Sequence, residues 1–94
     1  RPPRANMRTG QARKRDQVEH AIVAALRQAG VIVLPLSGPG VPDLLCYHRN
    51  RWLPLEVKST ANDALTGSQA QLWLATHFPV VRSVEDALRA FGLS

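Results

Sequence analysis

The first regular pattern along the chain is a series of apolar residues at helical spacing. They recur every three or four positions at Val18, Ile22, Ala25, Leu26 and Ala29. This spacing predicts one amphipathic helix over about residues 11–29, ended by Gly30. A β-prone run at residues 31–36 follows directly and predicts the first strand.

Residues 43–56 predict a hairpin of two short apolar strands around a polar turn at residues 48–51. If the turn is centred between Arg49 and Asn50, opposed residues have numbers that add up to 99, so Asp43 lies opposite Glu56. Lys58 then points the same way as Glu56, because side chains on a strand alternate between two faces. A slip of one residue would put the two carboxylates on opposite faces.

The second half of the chain alternates helix and strand. Residues 66–69 have the form of a capping box and predict a helix that runs to about residue 77. Phe78-Pro79 ends that helix, residues 80–82 predict a fourth strand, and Ser83 caps a last helix. The order of helix, three strands, helix, strand and helix predicts an α/β fold in which helices flank a mixed four-stranded sheet.

Two carboxylates and one amine meet on the predicted hairpin. Opposed carboxylates such as Asp43 and Glu56 repel each other, and a fold seldom keeps them unless a cation or a shared proton compensates. Oxygen ligands suit Mg²⁺ or Mn²⁺, and Mg²⁺ held by two carboxylates takes up substrate phosphate oxygens. The pattern therefore predicts a metal site that acts on a phosphodiester. Taken singly, Pro42-Asp43 is an ordinary turn and Glu56-x-Lys58 is common on solvated strands, so only the combination is informative.

Several motifs together carry a family resemblance. They are Gly-x-Gly-Val-Pro-Asp at residues 38–43, Glu-Val-Lys-Ser at 56–59, Leu-Thr-x-x-Gln at 65–69 and Val-Val-Arg-Ser at 80–83. With these motifs, residues 16–94 resemble the PD-(D/E)XK nucleases, and among them the small VRR-NUC type that looks like a minimal Holliday-junction resolvase. The resemblance implies a restriction-endonuclease-like core. It also implies that Asp43 and Glu56 bind the metal with the main-chain carbonyl of Val57, and that Lys58 assists the attacking water.

The resemblance places two further residues at the site, and each has a second interpretation. Glu19 on the first helix would lie near the site and recruit a second ion through water, but it also suits a pair with Arg15 or Lys14 on the same helix. Gln69 would face the catalytic strand and hold the lysine or the water, but it also suits the capping box. The two roles of Gln69 do not exclude each other.

Positive charge is concentrated at the start of the chain. Six of the twelve basic residues lie within residues 1–15, whereas all seven acids lie from Asp16 onward, so the net charge of +5 belongs to this segment. We therefore expect residues 1–15 to form a flexible basic arm and residues 16–94 to form the nuclease domain. For residues 1–7, an expression or processing remnant is the alternative. The expected nucleic-acid contacts are Arg8, Arg13, Lys14, Arg15 and a loop with Ser37, Gly38 and Gly40, although such loops are also ordinary turns.

Length and composition restrict the class of protein to which the chain can belong. A chain of 94 residues with 45% hydrophobic content is expected to form one domain. The lone Cys46 excludes an internal disulfide, and no apolar run has the length of a membrane span or the form of a secretory signal. These features favour a soluble cytoplasmic protein, and the small form suggests a bacterial or phage origin. The spacing of the three histidines argues against zinc, and we expect neither a membrane partner nor a small-molecule organic cofactor.

The combined prediction is an endodeoxyribonuclease that uses Mg²⁺ or Mn²⁺ and cuts branched DNA such as Holliday junctions. Because one site cuts one strand, paired cuts predict a homodimer. Two alternatives stay open. One is a general, restriction or repair nuclease of the same fold. The other is a non-catalytic nucleic-acid-binding module driven by the arm, whose binding would depend on salt and not on metal.

Overall fold

A mixed sheet of four strands and three helices make up the fold. The computed structural model describes residues 9–60 and 63–93, with side chains in the first helix from Arg15 onward. The elements are α1 (Thr9–Gln28), β1 (Ile32–Pro35), β2 (Leu44–His48), β3 (Arg51–Val57), α2 (Gly67–Thr76), β4 (Val80–Val81) and α3 (Val84–Ala90). The strands lie in the order β1-β2-β3-β4, antiparallel except for the parallel pair β3 and β4. The predicted element order and mixed sheet are confirmed.

The longest helix, α1, starts two residues before its predicted start and takes in residues 9–15 of the predicted arm. Gly30, at φ +93°, follows its last turn, and the main-chain N of Val31 donates to Leu26 O at 3.0 Å. This hydrogen bond and the left-handed glycine are typical of a Schellman stop. The predicted contacts through Arg8 and the side chains of Arg13 and Lys14 lie outside the described residues. Within the described ranges, no helix is long and apolar enough to cross a membrane.

The hairpin of β2 and β3 has the predicted register. Leu44 pairs with Leu55 and His48 pairs with Arg51. Arg49 and Asn50 have φ values of 53° and 66°, and a type I′ turn requires positive φ at both central residues. The ladder begins only at Leu44, so Asp43 lies just before β2 and not in the predicted strand pair with Glu56.

The register divides the sheet into two faces. The core face is buried under α1 and α3, which contribute Ile22, Leu26, Ala87 and Phe91 to the same cluster. Its sheet residues are Val33, Leu44, Cys46, Leu55, Val57 and Val81. Cys46 is fully buried, and this burial raises the pKa of its thiol to about 11. The opposite face, called the open face below, carries Trp52 at 55% exposure, so this residue is not part of the core.

The free edge of the sheet at β1 is partly blocked. Leu36 N donates to Asp43 O at 2.8 Å, so by alternation the main-chain groups of Val33 and Pro35 point away from β2. Arg27 Nη2 donates to Val33 O at 2.9 Å, and Pro35 has no N–H to offer. A blocked edge of this kind opposes strand-to-strand association.

Candidate functional site

The candidate site lies at the end of β3 on the open face. Glu56 is 0% exposed and Lys58 is 5% exposed, although both side chains can carry charge. Val57, between them, points to the core face and is also buried. Because buried charges are normally paired or bound to an ion, the partners of Glu56 and Lys58 define the chemistry of the site.

Gln69 joins these two side chains. Its Nε2 donates to Glu56 Oε2 at 2.9 Å, and its Oε1 accepts from Lys58 Nζ at 3.1 Å. Its Oε1 also accepts from the main-chain N of Thr66 at 3.0 Å, and Gln69 N donates to Thr66 Oγ1 at 3.4 Å. The predicted capping box is therefore confirmed, and the same glutamine contacts both Glu56 and Lys58.

Lys58 has an acidic neighbour that the sequence analysis did not identify. Lys58 Nζ lies 3.4 Å from Glu56 Oε2 and 3.9 Å from Asp63 Oδ1. The other carboxylate oxygen of Asp63 accepts from Ser59 N at 2.9 Å and from Ser59 Oγ at 3.2 Å. The sequence signal was an acid four residues after a serine in a short polar connection, a spacing at which side chains often bind loop main chain.

Arg82, directly after β4, holds the same connection. Its Nη1 donates to the main-chain oxygens of Thr60 and Asp63. Arg82 N in turn donates to Asp86 Oδ2 at 3.0 Å, and Asp86 N donates to the N-cap Ser83 Oγ at 3.0 Å. The start of α3 and the connection after Lys58 are thereby held together.

Asp43 approaches the site from the start of β2. Its Oδ2 accepts from the main-chain N of Val57 at 2.9 Å, which places the carboxylate beside the end of β3. Its Oδ1 lies 4.0 Å from Arg15 Nη1. Arg15, predicted as part of the mobile arm, thus belongs to α1 and contacts the site.

The surroundings of Glu56 favour its protonated form. Burial, and then the nearby Asp43 carboxylate, raise the pKa of Glu56 to about 7, while Lys58 opposes the rise. Glu56 Oε1 is buried and has no hydrogen-bond partner. Since buried polar atoms are nearly always satisfied, this oxygen is a candidate position for a cation or for a proton shared with the Asp43 carboxylate, which is close enough to raise the pKa of Glu56 by hydrogen bonding.

Glu19 belongs to the same electrostatic environment. Burial and the Asp43 carboxylate raise the pKa of Glu19, and Arg15 lowers it. Glu19, Asp43 and Arg15 therefore influence one another electrostatically, and a role of Glu19 at a metal site stays a prediction.

The glycine loop before Asp43 packs against the start of α2. Gly40 has φ +73°, and a Cβ added there would lie 3.0 Å from Ser68 Cβ at the start of α2. Ser37 and Gly38 are exposed. Gly40 thus permits close contact between this loop and the helix that carries Gln69, while nucleic-acid contacts of the loop stay a prediction.

The protein ligands for a metal are few. Among the residues whose side chains are described, no group of three or more His, Cys, Asp or Glu could hold a metal ion. An ion bound by Asp43 and Glu56 would need further oxygens from the Val57 carbonyl, from water and from substrate.

Comparison of the chain with protein-family models, curated proteins and solved structures gives no match. The likeness to the PD-(D/E)XK nucleases therefore depends on the motifs described above.

Proposed function

We propose that the protein is a metal-dependent endonuclease that hydrolyses phosphodiester bonds in DNA. The observation that carries the proposal is the fully buried Glu56, with one oxygen unpartnered, beside Asp43 and the buried Lys58. Purely structural carboxylates at this depth are normally satisfied at both oxygens. The element order supports the finer proposal of a restriction-endonuclease-like core.

The donor set suits Mg²⁺ or Mn²⁺. Both ions prefer oxygen ligands, and Mg²⁺ is usually held by one or two carboxylates and completed by water and substrate phosphate. Asp43 and Glu56 would supply the carboxylates and Val57 the carbonyl. Burial and then the Asp43 carboxylate raise the pKa of Glu56, and a cation here would offset both effects. Glu19 would act through water.

The other residues of the site would position the attacking water and stabilise the negative charge that develops during the reaction. A bound ion would polarise the scissile phosphate and lower the pKa of a bound water. Lys58 Nζ is held by Gln69 Oε1, Glu56 Oε2 and Asp63 Oδ1, and in this position it would orient that water or stabilise the developing negative charge. Arg15, close to Asp43, would attract the substrate phosphate.

The proposed substrate is branched DNA, with duplex DNA as the alternative. Purified protein would be incubated with a labelled four-way junction and a matched linear duplex, in Mg²⁺, in Mn²⁺ and in EDTA. We expect metal-dependent cuts placed symmetrically on the junction. Asp43→Asn should lower the cleavage rate by at least about a hundredfold, because it removes one charged metal ligand.

Glu85→Gln is the matched control, because Glu85 is an exposed acid at the start of α3 and not part of the site. It should cut as wild type does. Equal cutting of junction and duplex would instead establish a general nuclease. Salt-sensitive binding without cleavage in either metal, unchanged by Asp43→Asn, would refute the catalytic proposal and leave the binding module driven by the basic arm.

A further inference from the structure

The tip of the hairpin between β2 and β3 carries positive charge that the fold does not use. From residue 16 onward, the basic residues that already bind main-chain oxygens or carboxylates within the described ranges are Arg27, Lys58, Arg82 and Arg89. The other two, Arg49 and Arg51, are exposed and form no side-chain hydrogen bond or ion pair with any described residue. No acid lies in residues 44–55, so the charge of these two guanidinium groups is not compensated locally.

Arg49 occupies a backbone position that disfavours it. Arg49 and Asn50 are the two central residues of the type I′ turn, with φ values of 53° and 66°. Such turns prefer asparagine, aspartate or glycine at both positions, because most other side chains are strained in the left-handed region. The chain has a preferred residue at Asn50 and an arginine at the position before it. A strained residue at an exposed turn points to a function of its side chain.

Two aromatic rings lie beside these arginines. Tyr47 pairs with Trp52 across the hairpin, and their ring centroids are 4.9 Å apart. Tyr47 Oη donates to Asn50 Oδ1 at 3.2 Å, which holds the half-buried tyrosine against the turn. Trp52 packs on that ring and is itself 55% exposed. A supported aromatic ring next to free arginines is the combination with which proteins stack an exposed nucleobase and bind its backbone.

We propose that the hairpin tip, residues 47–52, is a DNA contact in which Trp52 stacks on an unpaired base and Arg49 and Arg51 bind the adjoining phosphates. A planar base and a phosphate occur side by side in a nucleic acid. An acidic protein surface or a lipid headgroup would use the arginines and leave the tryptophan without a ring to stack on. The choice of DNA as the nucleic acid rests on the proposed function.

The tip and the candidate site lie at opposite ends of β3. Trp52 and Glu56 are four residues apart on this strand and share the open face. A strand rises about 3.4 Å per residue, so the two residues are separated by about 14 Å. A DNA strand in B-form geometry also advances about 3.4 Å per nucleotide, which puts the stacked base roughly four nucleotides from the scissile phosphate. The hairpin would thus fix the distance between the cut and an unpaired base.

Fluorescence anisotropy of the full chain would measure its binding to a labelled single strand of thymidines and to a blunt duplex of the same length. EDTA is present throughout, so that binding is measured without cleavage. Trp52→Leu should weaken binding of the single strand by roughly tenfold, whereas Trp52→Phe should bind nearly as wild type does, because phenylalanine still offers a ring face. Binding of the duplex should change much less, since its bases are already stacked.

Arg49→Asn tests the arginine and its backbone strain together. Asparagine suits the left-handed region, so the variant should unfold at a higher urea concentration than wild type. It should nevertheless bind the single strand more weakly, and the slope of log K against log salt concentration should become less steep by roughly 0.7. Arg89→Gln is the matched control, because it removes the same charge from an exposed residue that is already paired with Asp86 on α3. It should leave the affinity and the slope unchanged.

Two sets of results separate the hairpin contact from the proposed catalysis. If wild type cuts DNA with metal but Arg49→Asn and Trp52→Leu bind the single strand as wild type does, the hairpin contact is wrong and the nuclease stands. If binding depends on these two residues and no metal supports cleavage, the contact stands and the catalysis is refuted. Equal weakening by Arg49→Asn and Arg89→Gln would show that the tip contributes only general charge, which would also overturn the contact.

Discussion

Glu56 has a different environment at each of its two oxygens. Gln69 donates to Oε2 and Lys58 lies near it, whereas Oε1 is buried without a partner. The acid is therefore bound firmly in one orientation and still has a free lone pair to offer. An ion or a proton would serve at that position, and the two alternatives differ in how stability depends on pH.

We expect the metal-free protein to lose stability as the pH rises. The pKa of Glu56 is raised from its ordinary value of 4.5 to about 7, so the proton binds the folded state more tightly than the unfolded state. The stability it contributes is complete below pH 4.5 and is lost as the pH rises through 7. The free energy of unfolding should fall by up to about 3 kcal/mol, measured by urea unfolding in EDTA between about pH 4 and pH 8.

Glu56→Gln is the control, because the amide has the same shape and no charge to titrate. Its free energy of unfolding should depend less on pH over this interval. Adding Mg²⁺ at the upper end of the interval should stabilise wild type and not the variant. Parallel pH profiles for the two proteins would contradict the assignment.

Asp63 is expected to position Lys58. Its Oδ1 lies 3.9 Å from Lys58 Nζ, and its Oδ2 holds the main-chain N of Ser59. Asp63→Asn keeps the size and removes the charge that faces the lysine. If the protein cuts DNA as proposed, kcat should fall about tenfold with little change in KM, because the lysine would still be present but less well oriented.

Asp86→Asn provides the comparison. Asp86 also binds a main-chain N–H, that of Arg82, but it does so at the start of α3. Because Asp86 reaches the connection after Lys58 only through Arg82, Asp86→Asn should lower kcat less than Asp63→Asn does. Equal losses of kcat in the two variants would show that Asp63 acts only by holding its loop.

The helix α2 is attached to the rest of the protein mainly through its first turn. None of its residues is buried, and Leu74 is 69% exposed. Its N-terminus is fixed by the Thr66 cap, by the contacts of Gln69 and by the close approach of Gly40 to Ser68. The position of Gln69 at the site therefore depends on the packing of one glycine.

Gly40→Ala should displace α2 and disturb the site. Its φ of +73° disfavours an L side chain, and the new Cβ would lie 3.0 Å from Ser68 Cβ. We expect a loss of about 2–3 kcal/mol in the free energy of unfolding and faster hydrogen exchange of the α2 amides. Both are measured on the purified variant by urea unfolding and by exchange mass spectrometry.

Gly30→Ala is the control, because it introduces backbone strain without a steric clash of the kind expected between Gly40→Ala and Ser68. Gly30 has φ +93° with no atom within 4 Å of an added Cβ, so it should cost only about 1 kcal/mol and leave exchange in α2 unchanged. An equal effect of the two substitutions on α2 would show that the contact with Ser68 does not hold the helix.

Local signals were enough to predict most elements. The polar turn at Arg49 and Asn50 determined the hairpin register, and the Thr66 box and Ser83 determined where α2 and α3 begin. The start of α1 was less predictable, because the basic residues before Asp16 read as a charged arm while the backbone from Thr9 continues the helix. Charge composition predicts that a segment is solvated, but it does not predict the backbone conformation. A helix that has already formed extends cooperatively, and it can do so through charged residues.

In the whole molecule, the residues that strand alternation predicted for the site lie close together. Asp63, in the loop after Lys58, was not predicted. Glu56 and Lys58 share a face because they lie on one strand, and Gln69 reaches both. Asp63 approaches Lys58 through a connection whose path depends on Arg82, nineteen residues later. Periodicity carries no information about such a contact. Nor does it indicate which apolar face a helix will cover, and the exposure of Trp52 appeared only in the folded chain.

The division of the sheet into two faces has a consequence for how this sequence can change over evolutionary time. The apolar contacts that drive folding lie on the core face, and the acids and the lysine lie on the other, one backbone layer away. Replacing Asp43 or Glu56 by a neutral residue leaves every core contact intact and removes a repulsion. If the protein is the proposed nuclease, a lineage could therefore lose the activity in one mutational step, keep the fold, and use the inactive copy for another purpose.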